Sequence, residues 1–232
     1  MAEKPTIHIT ASDAARNGKT LLARLVADYL LLDKRDPFLI DTDAPDGPLR
    51  KFFPGRTILA DFEKMAGRMK VFDTILASPG RDYVVDLPQR HMHDFFNATS
   101  ELNFWKEARA LGFRVFVYFV VDRAASSLRA AKEIEQLAKP DVFIAVRNDH
   151  VGSSWPEKDG SLHLSALPRH LSIAVSDKRF SFNQFVLGDE QQLPQDDVAT
   201  LKRFLVEAMD AINGLDMVVS LAKISANTIH NQ

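Results

Sequence analysis

A β-branched run, Thr6-Ile7-His8-Ile9-Thr10, is followed by Asp13-Ala14-Ala15-Arg16-Asn17-Gly18-Lys19-Thr20 and then by an apolar segment. In that segment Leu21, Leu22, Leu25, Val26, Tyr29 and Leu30 recur at helical spacing. A strand, a loop ending Gly-Lys-Thr and a helix form the back half of the phosphate-cradling pattern G-x-x-x-x-G-K-[ST]. Gly18 lets backbone N–H groups close on an anion without a Cβ in the way. Lys19 reaches phosphate oxygens as a point charge, and Thr20 offers a hydroxyl to Mg²⁺. The helix aims the positive end of its dipole at the same place. The front half of the pattern is altered, because Asp13 stands where the first glycine belongs. By itself the segment also reads as an ordinary strand, polar turn and helix.

The rest of the chain repeats this alternation. Strand-like runs fall at residues 6–10, 38–41, 83–86, 114–121 and 142–146, with a weaker one at 162–167. The run Val115-Phe116-Val117-Tyr118-Phe119-Val120-Val121 is apolar on both faces, as a central parallel strand is. Helical patterns lie at 19–32, 58–76, 93–111 and 124–137, and a last one at 196–213 is capped by Asp196 or Asp197 and ended by Gly214. The expected fold is α/β: a doubly wound, mostly parallel sheet flanked by helices. An apolar share of 46 % supplies its core. No linker or repeat divides the chain, so one domain over residues 1–232 is expected.

Open α/β sheets bind ligands at the carboxyl ends of their strands. Two strands here end in acid: Leu39-Ile40-Asp41-Thr42-Asp43 and Tyr83-Val84-Val85-Asp86-Leu87-Pro88. Carboxylates beside a phosphate loop supply the hard oxygens, direct or through water, that Mg²⁺ takes. Turn and cap formation is the plainer role for one such aspartate, but it explains three on two strands less well. The run 142–146 continues into Arg147-Asn148-Asp149, and the Asn148 amide offers a donor and an acceptor to a purine edge.

Several functions are excluded or weakened. The chain has no cysteine, which removes disulfides and thiolate metal sites. A net charge of −2 gives no global attraction to nucleic acid or anionic lipid. Its basic pairs (Lys34-Arg35, Arg50-Lys51, Lys178-Arg179, Lys202-Arg203) are scattered, so direct DNA binding has little support. His91 and His93 have poor spacing for one metal and read as surface loop. No Ser/His/Asp grouping has a nucleophile-elbow context. There is no signal-peptide core and no apolar run of about 18 residues, so a cytoplasmic protein without membrane insertion is expected. The stretch 215–224 carries too few cations for a membrane-targeting helix and is expected to pack on the body.

Together these residues resemble the ParA/MinD family of deviant-Walker P-loop ATPases, which includes plasmid and chromosome partition, division-site positioning and compact TraL-like conjugation proteins. The family signature K-G-G-x-G-K-[ST], then D-x-D, then D-x-P, is met here by Ala14 to Thr20, by Asp41-Thr42-Asp43 and by Asp86-Leu87-Pro88. Leu167-Pro168-Arg169 is similar to the family's I-P-R motif near the nucleobase. The resemblance implies ATP or ADP and Mg²⁺ as ligands. It implies that Arg16, Asn17, Gly18, Lys19 and Thr20 hold phosphates, that Thr20, Asp41 and Asp86 serve the metal, and that Asp43 orients the attacking water with Lys19 as the second catalytic group. Asn148 and Pro168 would flank adenine. It further implies a protein partner and a nucleotide-dependent homodimer. The departure lies in the loop: the signature lysine falls at Ala14, and the first two glycines fall at Ala15 and Arg16. The expected function is therefore a weak ATPase or nucleotide switch in partition, conjugation or positioning, with Arg16 as a candidate substitute cation. The alternative is a pseudo-ATPase scaffold for a protein partner. A metabolic relative such as an amidoligase would need a substrate constellation that the sequence does not display.

Overall fold

The computed structural model describes residues 4–157, 160–188 and 193–229, with side chains as far as Leu215. Its centre is β1 (Thr6–Ala11), buried along its whole length. Around it lie β2 (Phe38–Asp41), β3 (Thr57–Leu59), β4 (Tyr83–Asp86), β5 (Arg114–Val120), β6 (Val142–Asn148) and β7 (Leu162–Leu164). The seven strands form one sheet in the order β3-β2-β4-β1-β5-β6-β7. Every pairing between them is parallel, which makes the sheet more uniform than the mostly parallel one expected. Such strands must be covered on both faces, and β5 records this residue by residue. Val115, Val117 and Phe119 point into one core, while Phe116, Tyr118 and Val120 point into the other.

The helices divide between those cores. The first core is closed by α2 (Met65–Ala77), α3 (Met92–Glu101), α4 (Phe104–Ala110) and α5 (Ala125–Ala138). The second is closed by α1 (Lys19–Leu32), α6 (Arg169–Val175), α7 (Phe182–Val186) and α8 (Gln195–Ile229). Arg35 binds Asp82 through Nε (2.7 Å) and Nη2 (2.5 Å), and Asp82 also accepts the Thr6 N–H at 2.8 Å. This charge-assisted knot fixes the amino ends of β1, β2 and β4. The carboxyl ends are then in register, with Thr10 beside Asp86 and Asp86 beside Asp41.

Four expectations are corrected. Residues 58 and 59 lie in the edge strand β3, and the helix begins only at Met65. A three-residue strand is too short to show its period. The helix expected over 93–111 is two helices, broken at Asn103, whose φ of 52° is a left-handed value that asparagine tolerates. Gly214 does not end the last helix, which starts at Gln195 with Asp196 and Asp197 already in its first turn and runs on to Ile229. Gly214 has no positive φ there, so the usual glycine stop does not form. His91 is buried against the Phe62 ring, not on the surface. The side chains of 216–224 lie outside the described residues; Leu215 packs against the second core.

Candidate phosphate-binding site

The site grows from the turn between β1 and α1. Gly18 caps α1 with φ 99° and ψ 9°, a left-handed conformation that suits glycine. A Cβ built there would stand 2.5 Å from Asn148 Nδ2, so the loop needs a residue without one for space as well. Arg16 is also left-handed, with φ 58°. A side chain held in that region is strained by about 1–2 kcal/mol. Asp13 has no positive φ, so its position makes no such demand.

The loop is internally bonded. Ser12 Oγ accepts the Ala14 N–H at 3.2 Å and a short bond from Asn17 Nδ2. Lys19 Nζ donates to the Ala14 carbonyl at 2.6 Å and to Asn17 Oδ1 at 3.3 Å. Burial pulls the Lys19 ammonium below its usual pKa range, while Asp86, Asp13 and Asp43 push it back up. Asn148, buried at the end of β6, donates Nδ2 to the Asn17 carbonyl (2.9 Å) and accepts the His150 N–H on Oδ1 (3.1 Å). Its Nδ2 thus holds the phosphate loop, and its Oδ1 holds the turn that follows β6.

The strand-end acids part company. Asp86 is 4 % exposed and accepts Thr20 Oγ1 at 2.7 Å and Thr10 Oγ1 at 3.0 Å. Burial pushes its pKa up to about 6 despite those two donors. Asp41 instead accepts the backbone N–H groups of Asp43 (3.0 Å), Leu49 (2.8 Å) and Arg50 (3.1 Å), and so folds the following loop onto itself. Asp43 reaches across that loop to Arg90, 2.6 Å from Nη1.

Arg16, Asn17, Gly18, Lys19, Thr20, Asp43, Asp86 and Asn148 line a single cleft of about 660 Å³. That volume is in the range of sites for small ligands. Asp41 and Pro168 are outside its lining, although Leu167 is part of it. Pro168 is exposed and caps α6. Two lining arginines escaped the sequence reading. Arg90 follows Asp86 by four positions, a spacing that could have marked it. Arg24 sits among the leucines of α1 and gave no signal. It is buried between the Phe52 and Phe182 rings, with Cζ 3.5 and 4.4 Å from their centroids. It donates to the Val175 carbonyl at 2.7 Å and the Phe180 carbonyl at 3.2 Å. One guanidinium therefore ties the loop after β2 and the α6–α7 region to α1. Nearby Asp28, 1 % exposed, is pushed up to about pKa 7 by burial, and its Oδ1 has no hydrogen-bond partner among the described residues.

No protein-family model matches this sequence, and no curated protein does. Solved structures do match in fold. A chain of the MinC:MinD cell division protein complex of Aquifex aeolicus aligns with a TM-score of 0.52 at 14 % identity, over 92 % of this chain and 96 % of that one. A protein described as a plasmid partition protein from Borrelia burgdorferi B31, bound to AMPPNP, aligns with a TM-score of 0.51 at 14 % identity, over 91 % of this chain and 99 % of that one. The chain thus shares the fold of these proteins over most of its length, as the resemblance in its motifs implied.

Proposed function

We propose that this chain is an ATP- and ADP-binding switch of ParA/MinD type, a single cytoplasmic domain over residues 1–232 that hydrolyses ATP slowly and acts through a protein partner in partition, conjugative transfer or positioning. One observation carries the reading: the left-handed Gly18 cap, the Lys19 ammonium and the Thr20–Asp86 pair converge on one cleft at the amino end of α1. The Borrelia protein of the same fold, bound to AMPPNP, supports it. The residues also suit Mg²⁺. Thr20 donates its hydroxyl hydrogen bond to Asp86, which leaves the oxygen lone pairs for a cation, and the buried Asp86 gains from any positive charge brought near. Thr20 would hold the ion, with Asp86 behind it, and the ion would neutralise phosphate charge. Among the described residues no three His, Asp or Glu side chains gather as a ligand set, so phosphate and water would complete the shell.

The pseudo-ATPase reading has its own support. Ala14 offers no cation to a partner subunit, and Lys19 is bonded to its own loop. DNA contact is less favoured, since Arg35, Lys64 and Arg179 are each paired with an aspartate. No helix among the described residues is long and apolar enough to cross a membrane. The test is calorimetry with ATP and ADP in Mg²⁺, alongside turnover. Lys19→Ala is expected to weaken nucleotide binding by about 1.5–3 kcal/mol per charge-assisted bond lost, while the far-ultraviolet spectrum stays native. Equal affinity in wild type and variant, or no binding at millimolar ATP, refutes nucleotide binding. Binding without turnover selects the pseudo-ATPase.

A further inference from the structure

A 3₁₀ turn at Gln89–His91 follows β4 and carries Arg90 to the rim of the cleft. Its Nη1 lies 2.6 Å from Asp43 Oδ1, its Nη2 donates to the Ala44 carbonyl at 3.2 Å, and its Nε is 3.7 Å from Glu63 Oε1. The Arg90 side chain is 47 % exposed and that of Asp43 26 %. A half-exposed pair of this kind is weak, worth about 0–1 kcal/mol, because water already solvates both charges. Arg90 and Asp43 share the cleft with Lys19, Thr20 and Asp86. A ligand group with two or more negative charges, held by the loop, meets the guanidinium on better terms than one carboxylate does. Arginine also matches phosphate with two parallel donors, which lysine cannot do.

We propose that Arg90 acts in cis as a further cation of this cleft beside Lys19, and that its pair with Asp43 is a latch opened when a terminal phosphate takes the guanidinium and frees Asp43 to orient water. The proposal rests on the nucleotide reading above and fills the gap left at Ala14 from within the same chain. In the hydrolysis it serves, the bond from the terminal phosphorus to the bridging oxygen breaks and its electron pair leaves on ADP. The water oxygen bonds to phosphorus, and its protons pass to inorganic phosphate and solvent. Arg90 neutralises charge on the phosphoryl oxygens during that transfer. Glu63, 3.7 Å from Arg90 Nε, keeps a second negative charge beside the guanidinium on the Asp43 side of the cleft rim.

The test uses the full chain as wild type, Arg90→Ala, Arg90→Lys and Asp43→Ala. Affinities for ADP and for a non-hydrolysable ATP analogue are measured by calorimetry, and turnover is measured with ATP. Arg90→Ala is expected to leave ADP affinity within about twofold and to weaken analogue binding about tenfold or more. Turnover falls further, toward the roughly 10³-fold scale on which arginines act in phosphoryl transfer, and Arg90→Lys restores part of it. Asp43→Ala, which unlatches Arg90, raises the preference for the analogue over ADP. If Arg90→Ala weakens both nucleotides equally, or neither, Arg90 is a tie between loops and the proposal falls alone. If wild type binds neither nucleotide, the reading beneath it falls first.

Discussion

Gly18 and Asn148 give a coupling that can be worked out in advance. Replacing Gly18 by alanine keeps the chain at φ 99° with a Cβ present. The left-handed region costs a non-glycine residue about 1–2 kcal/mol. The new Cβ also stands 2.5 Å from Asn148 Nδ2, which is too close for any contact, so the amide must move. Moving it breaks the 2.9 Å bond to the Asn17 carbonyl. Leaving a buried acceptor unpaired costs about 1–3 kcal/mol more. Gly18→Ala should therefore lower stability by about 2–5 kcal/mol, a large part of the roughly 5–15 kcal/mol a domain holds. In an Asn148→Ala background the collision is gone and only the backbone penalty remains. The assay is urea denaturation of the four proteins of this cycle, followed by fluorescence of Trp105 and Trp155. A coupling of about 1–3 kcal/mol is expected. A coupling below about 0.5 kcal/mol, the scatter of independent sites, refutes the contact as the reason for glycine here.

Two further predictions concern buried positions away from the cleft. Asp28 has a folded-state pKa raised from 3.8 to about 7, so it binds its proton more tightly folded than unfolded, and its destabilising effect grows as pH rises through that window and is constant above it. Relative to wild type, Asp28→Asn should gain stability between pH 4 and 8 by up to about 4 kcal/mol, seen as diverging urea midpoints; parallel pH profiles would contradict this. Gly67 lies inside α2, where alanine ordinarily stabilises by about 0.5–1 kcal/mol. A Cβ there would stand 1.9 Å from the Asp61 carbonyl oxygen, so Gly67→Ala should instead destabilise by about 1–3 kcal/mol in thermal melts, and a gain in melting temperature would show that the approach of the two segments is not fixed.

The parts of the fold that were legible in the sequence are those where burial imposes a pattern. Val115 to Val120 must satisfy two cores at once, so every position is apolar and the central strand is plain. β3 sits at the sheet edge, is only half-buried and is three residues long, so neither a period nor a composition announces it. The break at Asn103 was hidden because large apolar residues flank it on both sides, Phe95 and Phe96 before it and Phe104 and Trp105 after it, all packing into the same core. Arg24 was hidden for the opposite reason. Its stabilising partners, Phe52, Phe182 and two carbonyls, come from segments far away in the chain, and only the folded structure brings them together.

The strand-end aspartates show why motifs point to a site more reliably than they assign its members. Asp41 and Asp86 are register partners on adjacent strands, and each follows an apolar run with the same look. Read along the chain, the strand of Asp41 comes next after β1, so Asp41 looks like the nearer neighbour of the phosphate loop. The sheet order reverses this, because β4 inserts between β1 and β2. Asp86 therefore stands beside Thr10 and below Thr20, where a carboxylate can hold a hydroxyl at the start of α1. Asp41 stands one strand further out and is taken by the N–H groups of its own loop. That loop then delivers Asp43 to the cleft from the side. The charge pattern was visible in the sequence, but the division of labour depends on a strand insertion that only the long-range pairing of the sheet decides. The same insertion places the turn after β4, and with it Arg90, against Asp43, so a guanidinium reaches the cleft from a strand end as well as cations from the phosphate loop.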